Sequence, residues 1–481
     1  MKNTKKTTRG VRPAAAAVAF AAFAAVPFMA DAEQKTVAAG ATTVVAATDV
    51  ASWASADIDI GAGATLLFEE PDANAEFTGK ITGAGHFVAH SAVTTTKPYE
   101  FKMNGDATGF TGGFFYTNVL ARICTPTSVG DSAAINMYVV YNTGNGAKSH
   151  FFGPAAGQPD YVYRNPLDVR VGANNGLVVN ARTVLAGDIV HRYGVIHGPG
   201  KITGKIKTYA SALPFAGDLH VEGPCTAEVA NAKISNEAQS LYMKGTTHGF
   251  STFVVCNCNT PVYLEGDNLF DENVVLQLGE NYTGDEKKSG RLELNGHSQT
   301  FKRAWFRMDA GVPESLRQVG GIGNTGAPAT VTFANNDAAK WFYGALDGHL
   351  SVCVTGPNMI GFVGPTNTID GTITASGGNV VIAGSYPKLK SLVSCNGGIL
   401  DIRSSASFNP RLGLIEIDDT SKVKVANGLT VNVRRLCING VDVPIGSYTK
   451  NTSGPTSGHF DNTGTGTIKV TGVPGFAMSV R

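Results

Sequence analysis

The sequence predicts an all-β chain wound as a solenoid, and three observations carry that expectation. Short runs that alternate or stay apolar for four to six residues recur from residue 33 onward: DIDI (57–60), DVRV (168–171), TFVV (252–255), NVVL (273–276), RLELN (291–295), HLSVCV (349–354), NVVIAG (379–384), KVKV (422–425) and TVNV (430–433). Asn-Gly turn pairs punctuate them at Asn104-Gly105, Asn145-Gly146, Asn175-Gly176, Asn295-Gly296, Asn396-Gly397, Asn427-Gly428 and Asn439-Gly440. The third observation is a motif that returns at uneven intervals. An aromatic precedes a glycine by one or two positions, and a second glycine follows four positions later: Gly79 with Gly83, Gly194 with Gly198, Gly344 with Gly348. Uneven spacing around a repeated small core suits a solenoid, whose coils bury their faces only against neighbours and let loops grow outward. AAKWF (338–342) and VPESLRQV (312–319) read as surface turns rather than helices.

Composition sets the class and the address. The 481 residues include 58 Gly and 21 Pro, with 43% hydrophobic and only 16% charged residues. Residues 1–12 are cationic, residues 13–30 form an Ala-rich apolar stretch, and Ala30-Asp31-Ala32 has the small-x-small pattern of a signal-peptidase site. A signal peptide over 1–32 is expected, with export to the periplasm, the outer cell surface or the medium of a bacterium. No later window is apolar enough for a transmembrane helix. Lys plus Arg total 39 against 38 for Asp plus Glu, a balance with no footprint for nucleic acid or anionic lipid. The chain divides into three irregular modules, about 33–165, 166–290 and 291–412, followed by terminal coils and a capping hairpin over 413–481. Asn439-Gly440, flanked by apolar runs, is the hairpin turn.

A family resemblance rests on the third module. RLELNGHSQTF (291–301), FYGALDGHLSV (342–352) and GPNMIGFVGPTNTIDGTITASGGNVVI (356–382) are similar to the autotransporter-associated β-strand repeat, also called the passenger-associated transport repeat. Leu292, Leu294, Asn295, Gly296, Gln299 and Thr300 match its opening strand. Gly344, Gly348 and Leu350 match its middle step, and Gly356, Gly364, Asn367, Thr368, Gly371 and Gly377 its closing part. Ile369 stands where the family usually has Tyr, and Asn358 where it has Gly. The resemblance implies a right-handed parallel β-helix of a bacterial surface protein, with a structural rather than chemical signature. The sequence ends at Arg481 without the ten-residue strands of a translocator barrel, so it reads as passenger-like without its own transporter.

Chemistry is sparse. Asp57 with Asp59 and Glu416 with Asp418 each share a strand face, and Asp285-Glu286 adjoin Lys287-Lys288; all read as solvated faces or turns. His86 and His90 share a face without a third ligand, and Cys256 and Cys258 do the same. No catalytic, cofactor or metal residue is assigned, and no cofactor is expected. The aromatics Phe114, Phe115, Tyr116, Phe151, Phe152, Trp341, Phe342 and Tyr343 read as core stacks, with an exposed row for stacking sugars as the alternative. Cys353, Cys395 and Cys437 follow at equal intervals of 42 residues, which places them on every second coil, along one inward wall, buried, reduced and unbonded. About 20 coils of 20–25 residues are expected. The function read from the sequence is a monomeric structural or adhesive protein presenting a surface to glycan or extracellular protein. The alternative is a polysaccharide-active enzyme, a lyase or glycosidase.

Overall fold

The computed structural model describes residues 32–69, 74–92, 99–139, 148–171, 176–255, 260–279, 290–306, 320–334, 339–364, 367–403, 406–408 and 412–472. The chain is a parallel β-solenoid of about 16 turns with almost no helix. Residues 1–31 of the expected signal peptide, Cys256, Cys258, Asp285, Glu286, Lys287, Lys288 and the segment VPESLRQV lie outside the described residues.

Outside the C-terminal hairpins each strand pairs in parallel with the strand one coil later, and the coil lengths vary widely. Ile189 lies opposite Ile206, a step of 17 residues, whereas Asn136 lies opposite Asp168, a step of 32. Strands alternate between core and surface, as the period of two demands: Ile135, Met137 and Val139 point inward while Asn136 and Tyr138 point outward. The long coils explain why about 16 turns are found instead of 20.

Three long sheets wrap the first two thirds of the chain. Sheet I runs from Thr42–Val45 to Thr247–His248, sheet II from Ala75–Phe77 to Arg303–Phe306, and sheet III from Tyr161–Tyr163 to the C-terminal end. One coil shows the order: Leu167–Val171 in sheet I, Gly176–Val179 in sheet II, Thr183–Leu185 in sheet III. The corner between sheets III and I carries a column of glycines. A Cβ on Gly187 would lie 2.0 Å from the carbonyl oxygen of Asn165, and on Gly204, Gly223 and Gly245 it would lie 2.0, 1.9 and 1.9 Å from the carbonyl of the glycine one coil before. Backbone meets backbone there with no room for a side chain.

Beyond residue 340 the coil flattens. Sheet III faces a five-stranded sheet IV built from Lys340–Phe342, Met359–Phe362, Asn379–Ile382, Ile399–Ile402 and Lys422–Val425. The third side keeps only a backbone thread, with Asn367 N donating to Ser385 O and Tyr386 N to Ser407 O. Lys340–Phe342 is therefore a strand, not the surface turn expected of AAKWF, because Phe342 is needed inside. The expected run at 273–276 sits two residues later, at Val275–Leu278. A short helix, Val50–Ala54, was not expected.

The C-terminal segment closes the stack. Asn439 and Gly440 have φ of 50° and 76°, the geometry of a type I′ hairpin, and set Cys437–Ile438 antiparallel to Val441–Asp442. Thr467–Val470 covers the other half of the last long strand, and Val423 of sheet IV bonds His459 and Asp461.

The cysteines correct one expectation. Cys353, Cys395 and Cys437 are free, yet Cys353 and Cys395 alternate with buried neighbours and so point outward, half-buried. Cys353 and Cys437 share a single outward register column, through Thr374, Val393 and Glu416. Cys437 is buried because the terminal hairpin folds over it. The interval of 42 does span two coils; it says nothing of which way a side chain faces.

Candidate functional site

The outer face of sheet II dips into a recess of about 570 Å³ lined by Lys148, His150, Val178, His197, Gly198, Ala216, Gly217 and Gln239. Register builds it: His150 lies beside Val178, Val178 beside His197, and His197 beside Ala216 on four successive coils. Ser149, Leu177, Ile196 and Phe215 alternate with them and face the core. Small residues at the outward positions make the floor, and the longer Lys148, His150 and His197 make the walls. Gly176 seats one wall, since a Cβ there would stand 2.7 Å from Cδ2 and 2.8 Å from Nε2 of His197.

The electrostatics are those of a cation among neutral donors. Lys148 Nζ lies 3.4 Å from Nδ1 of His197 and donates to it, which leaves Nε2 to carry the proton of a neutral imidazole. Burial and the Lys148 charge push His197 down to about 4. Burial and the Arg122 charge push His150 down to about 4 as well, against a hydrogen bond with Asn180 that favours its charged form. His150 also stacks on Phe152, with centroids 5.6 Å apart. Burial lowers Lys148 from an ordinary 10.5. Arg122, one coil away, is ion-paired with Glu100. The recess therefore holds one ammonium and two uncharged imidazoles at neutral pH.

The acids and histidines singled out in the sequence lie elsewhere. Asp57 accepts from Lys80 N at 3.0 Å and Asp59 from Thr82 Oγ1 at 3.1 Å, each bracing the next coil. Asp418 caps the Asn396 turn at 2.6 Å; burial works to raise its carboxyl, but hydrogen bonds from Ser421, Asn396 and Thr420 hold it below the usual range. Glu416 shares that outward face. His86 and His90 do share an outer face, where His86 meets Phe115 edge to face at 5.2 Å. Among the described residues, no three His, Cys, Asp or Glu side chains converge as metal ligands.

Four of the eight aromatics named from the sequence are core: Phe114, Tyr116, Phe151 and Phe342 are buried, Phe115, Phe152 and Tyr343 are half-buried, and Trp341, 39% exposed, lies against Gly361. An outward aromatic row exists on sheet III, made of residues the sequence reading did not select. His220, Tyr242 and Tyr263 stack at 4.2 and 5.0 Å with planes within 4° and 10°. Each ring face covers its neighbour, so the row ties coils together rather than offering faces to a sugar. The same register column continues into Glu293, Gly323 and Asp347. There Arg291 grips both oxygens of Asp347 at 2.8 and 2.9 Å and Glu293 at 3.2 Å, while Glu293 also accepts from Thr325 N at 2.5 Å.

The repeat residues serve the backbone in differing places. Gly79 lies two residues before the short strand Ile81–Gly83 and Gly83 ends it, Gly194 separates strands of sheets I and II, and Gly198 begins the turn after Val195–His197. Gly344 precedes, and Gly348 lies within, Ala345–Thr355 of sheet III. Gly364 and Gly371 sit where a Cβ would lie 2.4 and 2.3 Å from the carbonyls of Gly344 and Leu350. Asn367 is buried, donating to Gly364 O at 3.1 Å and accepting from Leu346 N at 3.0 Å. The fold and this recess define a parallel β-solenoid with a cationic pocket on its outer wall. No protein-family model, curated protein or solved structure matches the chain.

Proposed function

We propose that the chain is an exported, passenger-like surface protein of the autotransporter-repeat kind, non-catalytic, whose outer walls bind glycan or extracellular protein. The recess of sheet II carries this reading, because it gathers an ammonium, the His197 N–H and a Gln239 amide over an apolar floor. The outer charges support it: Arg192 clasps Asp168 at 2.8 Å, Lys201 meets Glu222 at 3.0 Å and Lys102 meets Glu76 at 2.8 Å, all between adjacent coils. Such charges act as ties between coils.

A polysaccharide-active enzyme is the second reading, favoured by the Arg291, Glu293 and Asp347 cluster beside Tyr263. All four carboxylate oxygens there already accept a hydrogen bond, which suits a brace better than an acid and base. A glycan array on the secreted protein, with product analysis on acidic polysaccharides, tests the choice. Binding without shortened products is expected; products that vanish in Glu293→Gln would establish the enzyme instead.

A further inference from the structure

We infer that the recess holds a sugar unit bearing one negative charge, a uronate carboxylate or a sulfate ester, with Lys148 as its counter-ion and His197 as a donor through Nε2. This rests on the surface-binding reading and names the ligand class of that site. The volume of about 570 Å³ lies within the usual range for a small-molecule site. Lys148 is the one cation among the lining residues, since Arg122 beside it is ion-paired with Glu100. One ammonium balances one charge, whereas a phosphate dianion would leave a second buried charge unmatched. The floor of Val178 and Ala216 offers apolar contact to a sugar ring, and Gln239 stands at the rim for its hydroxyls.

The histidines add a pH signature. In the free protein both are neutral down to about 4, held there by burial and by Lys148 and Arg122. A bound anion favours the charged form of both rings, which stay uncharged at neutral pH; binding therefore takes up protons and tightens only as pH falls toward the value of about 4. Lys148, Arg122, Glu100 and Asn180 are the charged and hydrogen-bonding groups that face the two rings.

Titration calorimetry on the secreted protein with trigalacturonate, a sulfated galactotriose and neutral galactotriose decides it. The two charged sugars are expected to bind and the neutral one not, with affinity higher at pH 4.5 than at pH 7.5. Lys148→Ala is expected to weaken binding by about tenfold or more, and Val178→Trp, which fills the floor, to abolish it. His197→Phe is expected to flatten the pH dependence, with unchanged circular dichroism certifying each fold. Binding of only one charged sugar selects carboxylate or sulfate within the same chemistry. Equal binding of neutral galactotriose, or equal competition by inorganic sulfate, overturns the proposal. Glycan binding on the array that survives both Lys148→Ala and Val178→Trp overturns the recess while leaving the surface-binding role standing. No glycan binding at all overturns the recess, and protein ligands then carry the broader role.

Discussion

The coils before residue 300 and those after 340 stack by the same backbone ladder yet fill different cross-sections. The early coils are three-walled and centre on rings: Phe87 touches Phe68, Phe77, Phe101 and Phe114 at centroid distances of 5.2 to 5.8 Å. The late coils are two facing sheets filled by aliphatic columns, Val352, Ile373, Leu392, Ile415 and Leu436 on sheet III against Ile360, Val380, Leu400 and Val423 on sheet IV. A wide triangular core needs large planar groups to exclude voids, whereas sheets about 10 Å apart meet through branched side chains. The ladder sets the rise per coil, and the core residues set its width.

The largest test of that contrast is the glycine column of the three-walled part, Gly187 to Gly245, which has a shorter counterpart in Gly344, Gly364 and Gly384 of the late part. Gly204→Val must separate two coils whose backbones already touch, and is expected to remove the cooperative unfolding of the early coils in a calorimetric scan. A late transition that survives unchanged would show that the two parts fold independently. Next, Phe87→Ala is expected to destabilise the early part by about 3–5 kcal/mol, and Ile373→Ala the late part by about 2–5 kcal/mol, by urea titration. Equal losses at both probes from either variant would mean the two cross-sections unfold as one.

Acid provides a milder discriminant. His150, His191 and His197 all lie in the early part, and each is held below 6.5 mainly by burial. A depressed folded-state pKa means stability is present above about 6.5 and lost as pH falls toward the folded value. The early part is therefore expected to weaken between pH 6.5 and 4, the window set by the two rings near 4. In the late part Asp418 and Asp461 are lowered from 3.8 and yield only below it. Thermal melts at pH 7, 5 and 3.5 check the order. The smallest effect is expected from Lys201→Ala, whose exposed tie to Glu222 contributes under about 1 kcal/mol.

Much of the ladder was legible. DIDI, DVRV, TFVV and KVKV fall on strands because alternation reports directly which side chains face the core. The hairpin at Asn439-Gly440 was legible for a local reason, two consecutive positive φ angles. The glycine column was not, since Gly187, Gly204, Gly223 and Gly245 recur at unequal steps that hide a repeat. The recess was hidden more deeply. Lys148 and His150 meet His197 only through an intervening coil of a different length, so no spacing in the chain announces them. The cysteine interval misled because a coil count carries no parity.

The closing hairpin has a consequence for growth. The last strand of a parallel stack is a template on which another chain can polymerise, as in fibril elongation. Here, among the described residues, Val441–Asp442 and Thr467–Val470 occupy both halves of the last long strand of sheet III, and only the three-residue Gly446–Tyr448 lies beyond Thr467–Val470. Chain addition along this edge of sheet III is blocked by the molecule's own hairpins, so this edge does not seed a fibre.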